Sequence, residues 1–232
     1  MAKTALIFGA GSGISASFAR RLKREGYRVA LAARSTDKLT ALAAETGAVV
    51  LAADAVRPDQ VAAAFGELDK TFGALDVVLY NAAQRVRGPF VELDPAAVKQ
   101  AVEVTAFGAF VVAQQAAKRM VPRGAGTILF TGASAGVKGY PQSATFAMGK
   151  FALRGLAQSM ARELHPQGVH ICHFVIDGGV RNAARARVEG ASDKPDSLLD
   201  PDAIAETYFH VVEQPRSSWS WEIEVRPWVE RF

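Results

Sequence analysis

The chain has 232 residues, half of them hydrophobic, which suits one domain, taken as residues 1–232, and is short for two. Its formal net charge of +4 comes as scattered pairs, so no nucleic-acid partner is expected, and the densest basic cluster, Arg20, Arg21, Lys23 and Arg24, reads as a solvated helix face. Cys172 is the only cysteine, which excludes an intrachain disulfide and a Cys-rich metal site.

Short aliphatic runs alternate with helical patterns from end to end. Strands are predicted at Thr4–Phe8, Arg28–Ala32, Ala48–Ala52, Val77–Tyr80, Gly126–Phe130, Val169–Val175 and Trp221–Val225. Helices are predicted at Ile14–Glu25, Thr36–Glu45, Pro58–Phe72, Pro95–Met120, Ser143–Leu164 and Asp202–Glu213. Pro58 and Pro95 sit where a first-turn proline costs a helix nothing, and Asp94 and Asp200 read as N-caps. The alternation predicts an α/β, Rossmann-type doubly wound sheet of about seven parallel strands flanked by helices.

One segment breaks the pattern. Residues 181–200 are too long for an idle connection, so they form a lid over a pocket or a surface excursion. The tail Trp219–Phe232 carries three tryptophans, which more often mark packing or a subunit contact than a ligand site. No stretch is expected to reach the apolar length that spans a bilayer, and Lys3 is the only hint of a signal peptide. The expected address is cytoplasmic, with no membrane partner.

After the first strand comes Gly9-Ala10-Gly11-Ser12-Gly13-Ile14-Ser15. A glycine turn between strand and helix lets backbone N–H groups approach a pyrophosphate, and the helix N-terminus favours its charge. Gly9, Gly11, Ser12, Gly13 and Ile14 are the candidate cofactor contacts. The second strand ends in Ala33-Arg34-Ser35, without the carboxylate that holds an unphosphorylated ribose. Arg34 can instead pair with a 2′-phosphate, which favours NADP(H) over NAD(H).

These motifs resemble the short-chain dehydrogenase/reductase family, whose loop reads Thr-Gly-x-x-x-Gly-x-Gly. Gly9 and Gly13 match its first two glycines, while Phe8 and Ser15 depart from it. Ala53-Asp54-Ala55 and Tyr80-Asn81-Ala82-Ala83 resemble two further family stretches, implying that Asp54 contacts the adenine and that Asn81 and Ala82 border the cofactor. The resemblance runs to about Val180.

The same resemblance implies an Asn, Ser, Tyr and Lys tetrad, with Tyr-x-x-x-Lys on one helix face. Lys-Phe-Ala-Leu at 150–153 fixes the register, so Lys150 matches the lysine and Phe146 takes the tyrosine position. The serine falls on Ala133 and the asparagine on Thr105. Phenylalanine cannot transfer a proton, so a donor must come from elsewhere. Tyr140 is the best candidate, although Tyr140-Pro141 reads more simply as a turn. Ser134, Ser143 and Thr145 carry other nearby hydroxyls. His170 and His173 read as structural or solvent-facing, and no metal site is expected.

The resemblance implies an NADP(H)-dependent oxidoreductase of a small carbonyl or alcohol substrate, using Lys150 and an atypical proton donor. The alternative is a non-catalytic NADP(H)-binding sensor or partner subunit. The apolar faces of Pro95–Met120 and Ser143–Leu164 fit a homodimer or homotetramer.

Overall fold

A computed structural model describes residues 2–190 and 193–229. Residues 191 and 192 of the expected lid, and 230–232 of the tail, therefore lie outside the described residues, as do the ends of the 1–232 domain.

Seven strands form one sheet: β1 (Thr4–Phe8), β2 (Arg28–Ala33), β3 (Val49–Ala52), β4 (Val77–Tyr80), β5 (Gly126–Thr131), β6 (Val169–Ile176) and β7 (Glu222–Val225). Their order is β3-β2-β1-β4-β5-β6-β7, with every pairing parallel. Side chains alternate across the pleat, so a strand buried on both faces must be apolar throughout. In β1, Leu6 and Phe8 enter one core while Ala5 and Ile7 enter the other.

The first core packs against α3 (Pro58–Phe72), α5 (Gly108–Met120) and α6 (Ala144–Leu164). The second packs against α1 (Ile14–Arg24), α2 (Thr40–Thr46) and α7 (Pro201–Val212). Asp94 caps α4 (Pro95–Val102) by accepting from the N–H groups of Ala96 and Ala97, and Asp200 caps α7 through Asp202 N–H.

The predicted single helix over Pro95–Met120 is interrupted. Glu103–Phe107 forms a π-turn between α4 and α5. Its cause lies in the neighbouring strand, because the Tyr80 hydroxyl donates to the Val104 carbonyl. The predicted Thr36–Glu45 helix likewise begins as a 3₁₀ turn at Asp37–Leu39.

The continuous helical stretch Pro95–Arg123 is, contrary to expectation, apolar and long enough to cross a membrane by composition alone. Its Ala109, Val112, Ala113, Ala116 and Met120 instead pack into the first core.

The strand order reverses between β1 and β4, the place where an open α/β sheet leaves a crevice beyond the carboxyl ends of its strands.

Candidate active site

The crevice is a cavity of about 510 Å³. Residues 8–14 form one wall, Ala33–Ser35 and Lys38 another, and Asn81–Ala83 a third. Two glycines fit this loop for different reasons. At Gly9, with φ at 81°, a Cβ would stand 2.4 Å from the Ala82 backbone nitrogen. At Gly13, with φ at 82°, a Cβ would meet the Asn182 side chain at 2.9 Å. A Cβ on Gly11, by contrast, would have nothing within 4 Å.

Ser15 does more than save space. Its buried hydroxyl accepts from Asn81 Nδ2 at 2.7 Å and reaches back to the Gly9 carbonyl at 3.4 Å. Asn81 N–H also bonds the Phe8 carbonyl at 2.9 Å. Strand β4 thereby fixes the glycine turn from the side. This hydroxyl function is what the departure from glycine at position 15 adds.

All the proposed cofactor contacts except Lys150 line this cavity: Gly9, Gly11, Ser12, Gly13, Ile14, Arg34, Asp54, Asn81 and Ala82. Asp54 accepts from Val56 N–H at 3.2 Å, which leaves it held in the turn after β3. The structure adds residues that sequence reasoning missed. Lys38 stands one helical turn beyond Arg34, and Asn182, Arg185 and Arg187 arrive from the 181–200 segment. Four basic side chains (Arg34, Lys38, Arg185, Arg187) thus face a single carboxylate, Asp54, giving the crevice a positive field. Much of the described part of the 181–200 segment is exposed. It pairs with itself at Asn182 and Arg187, and Asn182 Nδ2 donates to Ser12 Oγ at 3.2 Å.

Lys150 and Tyr140 stand apart from the cavity lining. The Lys150 ammonium is buried and donates to the Thr131 carbonyl at 2.6 Å. Burial, with no carboxylate to offset it, lowers its pKa to about 7. Phe146 lies one turn earlier on α6, its ring centre 5.6 Å from Lys150 Nζ. The Arg85 guanidinium covers that ring at 4.9 Å. Tyr140 is part-exposed, with Lys138 Nζ 5.7 Å from its ring centre. Of the other nearby hydroxyls, Ser143 Oγ and Thr145 Oγ1 are buried with no hydrogen-bond partner among the described residues. Thr105, in the π-turn, accepts from Gln84 N–H at 3.3 Å and lies against Gly149.

His170 and His173 are structural. His173 is buried, its Nδ1 3.0 Å from Glu222 Oε2, and burial lowers its pKa to about 4. His170 stacks on Trp219 at 4.6 Å and bonds the Ser220 carbonyl. Trp219 and Trp221 therefore serve packing, while Trp228 is exposed.

Residues 3–190 match the model of the short chain dehydrogenase family. The chain belongs to that family. A short-chain dehydrogenase from Rhodopseudomonas palustris is 33% identical with a TM-score of 0.83, covering 97% of this chain and 99% of its own. A metagenomic short-chain oxidoreductase in complex with NADP is 27% identical, TM-score 0.84, covering 97% of each chain. An uncharacterized oxidoreductase of Staphylococcus aureus strain N315 is 29% identical over 97% of both chains. This short-chain dehydrogenase is accordingly an oxidoreductase whose relatives include NADP-bound forms.

Proposed function

We propose that this short-chain dehydrogenase uses NADP(H) to interconvert a small carbonyl compound and its alcohol, with a proton path that differs from the usual one. The observation that carries the cofactor reading is that Arg34 and Lys38, just beyond β2, line the same cavity as the glycine loop. A 2′-phosphate supplies the two negative charges that such a pair takes. The 8–14 loop suits the pyrophosphate, since its close approach to Ala82 requires glycine and its Gly11 face opens into the cavity. Asp54, which also lines the cavity, is proposed to accept from the adenine amine. NADPH, when bound, supplies a hydride to the carbonyl carbon.

The chain's own residues must then orient the substrate and deliver a proton to its oxygen. Ala133, Thr105 and Phe146 occupy the positions that carry Ser, Asn and Tyr elsewhere in the family, and Lys150 alone keeps its identity. Lys150, with its pKa near 7, and the Tyr140 hydroxyl are the groups proposed to hold and move that proton. A non-catalytic NADP(H)-binding protein is the second reading, favoured by the apolar ring of Phe146 beside Lys150.

NADPH consumption over a panel of ketones and aldehydes separates the two. Turnover that survives Phe146→Leu and is lost in Lys150→Ala supports the enzyme. Tight NADPH binding with no turnover on any member supports the second reading. The part-exposed Phe107, Phe110, Met148 and Phe151 on α5, α6 and the π-turn support a homodimer or homotetramer, and light scattering at a monomer mass would contradict it. A cytoplasmic address belongs to the same reading.

A further inference from the structure

Asp177, just beyond β6, is the only buried carboxylate among the described residues. A carboxylate leaves water only where cations and hydrogen bonds replace it. Two cations do so here: Arg226 Nη2, just beyond β7, at 3.3 Å, and Lys138 Nζ, from the loop after β5, at 3.5 Å. The Asp177 backbone is fixed as well, its N–H donating to the Val225 carbonyl at 2.9 Å. One carboxylate thereby gathers the loops that follow three neighbouring strands, at the end of the sheet where the crevice opens.

Lys138 has a second neighbour. Its ammonium stands 5.7 Å from the ring centre of Tyr140, two residues further on. Hydrogen bonding to Tyr140, and then the Asp177 charge, hold the Lys138 pKa above its ordinary value against partial desolvation. The turn that carries both residues is pinned at each end. Lys138 N–H donates to the Ser134 carbonyl at 3.0 Å, and Ser143 N–H donates to the Tyr140 carbonyl at 3.2 Å. Gln142 lies in the left-handed region at φ 57°, rare for a residue other than glycine, and its carbonyl accepts from Gly88 N–H at 3.3 Å. Gly88 belongs to the loop whose Arg85 covers the Phe146 ring, so the Tyr140 turn is tied to the covering of Phe146. An exposed ammonium ordinarily contributes little, because water screens it and its stem moves freely. Lys138 differs in that a buried carboxylate holds it from the protein side.

We propose that Lys138, held by Asp177, is the positioning cation for Tyr140 as proton donor, and that Asp177 acts through Lys138. The inference rests on the reading of the chain as a carbonyl reductase. Tyr140 gives its O–H proton to the substrate oxygen, which gains the carbonyl electron pair as hydride from NADPH reaches the carbon. The phenolate left behind is offset by the Lys138 ammonium and takes a proton from solvent, which the part-exposed ring meets. The net change is one carbonyl, one NADPH and one proton to one alcohol and one NADP+.

The test is steady-state NADPH oxidation by the full chain on the carbonyl that it reduces fastest, compared across variants. Tyr140→Phe should lower kcat by about 10²–10⁴-fold. Lys138→Met should lower kcat by roughly tenfold or more, with KM and NADPH affinity nearly unchanged, and Lys138→Arg should recover most of the loss. The double variant Tyr140→Phe with Lys138→Met should be no slower than Tyr140→Phe alone, because a cation that acts only through the phenol has nothing left to support. Asp177→Asn should lower kcat in the same direction, and is compared only where its thermal melt matches the native one. Lys138→Met, at a side chain 44% exposed, keeps the test independent of that condition. A native kcat in Lys138→Met, or losses that multiply in the double variant, overturn the proposal. Turnover lost in Lys150→Ala but kept in Tyr140→Phe overturns it while leaving the reductase reading intact, whereas a native chain that reduces no carbonyl overturns both.

Discussion

The two ends of the site are built differently. At the β1–β2 end, backbone shape does most of the work: Gly9 and Gly13 allow contacts that no side chain would, and Arg34 and Lys38 add positive charge. At the β5–α6 end, side chains fill the space. Phe146 lies between Arg85 and Lys150, and Lys150 is turned into the protein toward Thr131. The first end keeps the family's geometry through its backbone, which tolerates few changes. The second is set by side chains, which can be exchanged while the fold stays intact, and there we propose that the family's residues have been replaced. On that proposal, the scaffold keeps its crevice while the proton path changes.

The largest effect expected comes from restoring the replaced residues. Phe146→Tyr combined with Ala133→Ser should raise carbonyl turnover by about 10²–10⁴-fold if a proton donor is all that the second end lacks. Unchanged kcat in steady-state assays would mean that Arg85 and its loop, and not the missing hydroxyls, define the chemistry there.

Arg34→Ala should weaken NADPH binding by roughly 10- to 100-fold and leave NADH binding almost unchanged. Equal losses for both would remove the distinction between an Arg34 that reads the phosphate and one that merely shapes the crevice. Gly9→Ala should lower stability by about 2–4 kcal/mol, since a Cβ there meets the Ala82 backbone in a conformation that favours glycine. Urea unfolding with a midpoint like that of the native chain would show that the loop can shift.

Smaller and more diagnostic is the pH dependence of stability. Lys150 is held near pKa 7, below the 10.5 of an exposed lysine, so the unfolded chain binds more protons between those values. Its contribution is complete above about pH 10.5 and is lost as pH falls toward 7. Lys150→Met should flatten that slope in thermal melts. His170 and His173, both lowered to about 4 by burial, act in the acid range, where stability should fall between about pH 6.5 and 4.

Much of this was legible in the chain. The strands were readable because sheets covered on both faces demand unbroken apolar runs, and all seven were found within a residue or so at each end. The glycine loop and Arg34 were legible from their positions at strand ends, while Asp54 and Asn81 came from the family resemblance, and all of them line the cavity. The π-turn at Glu103–Phe107 was not, because its cause is the Tyr80 hydroxyl on another strand and nothing local interrupts the helical period. Lys38 could have been found, four residues after Arg34 on the first turn beyond β2. Arg187 could not, because it reaches the crevice from a segment far along the chain from the glycine loop. Ser15 was read only as a small residue, since its partner Asn81 comes from β4.

The crevice is proposed to take a dinucleotide carrying a 2′-phosphate. Fluorescence titration of the full chain with NADPH and NADH tests it most directly. Saturable NADPH binding at least tenfold tighter than NADH is predicted, from two charge-assisted contacts at Arg34 and Lys38 (roughly 1.5–3 kcal/mol for a hydrogen bond to a charged group). Equal affinities, or no binding of either, would contradict it.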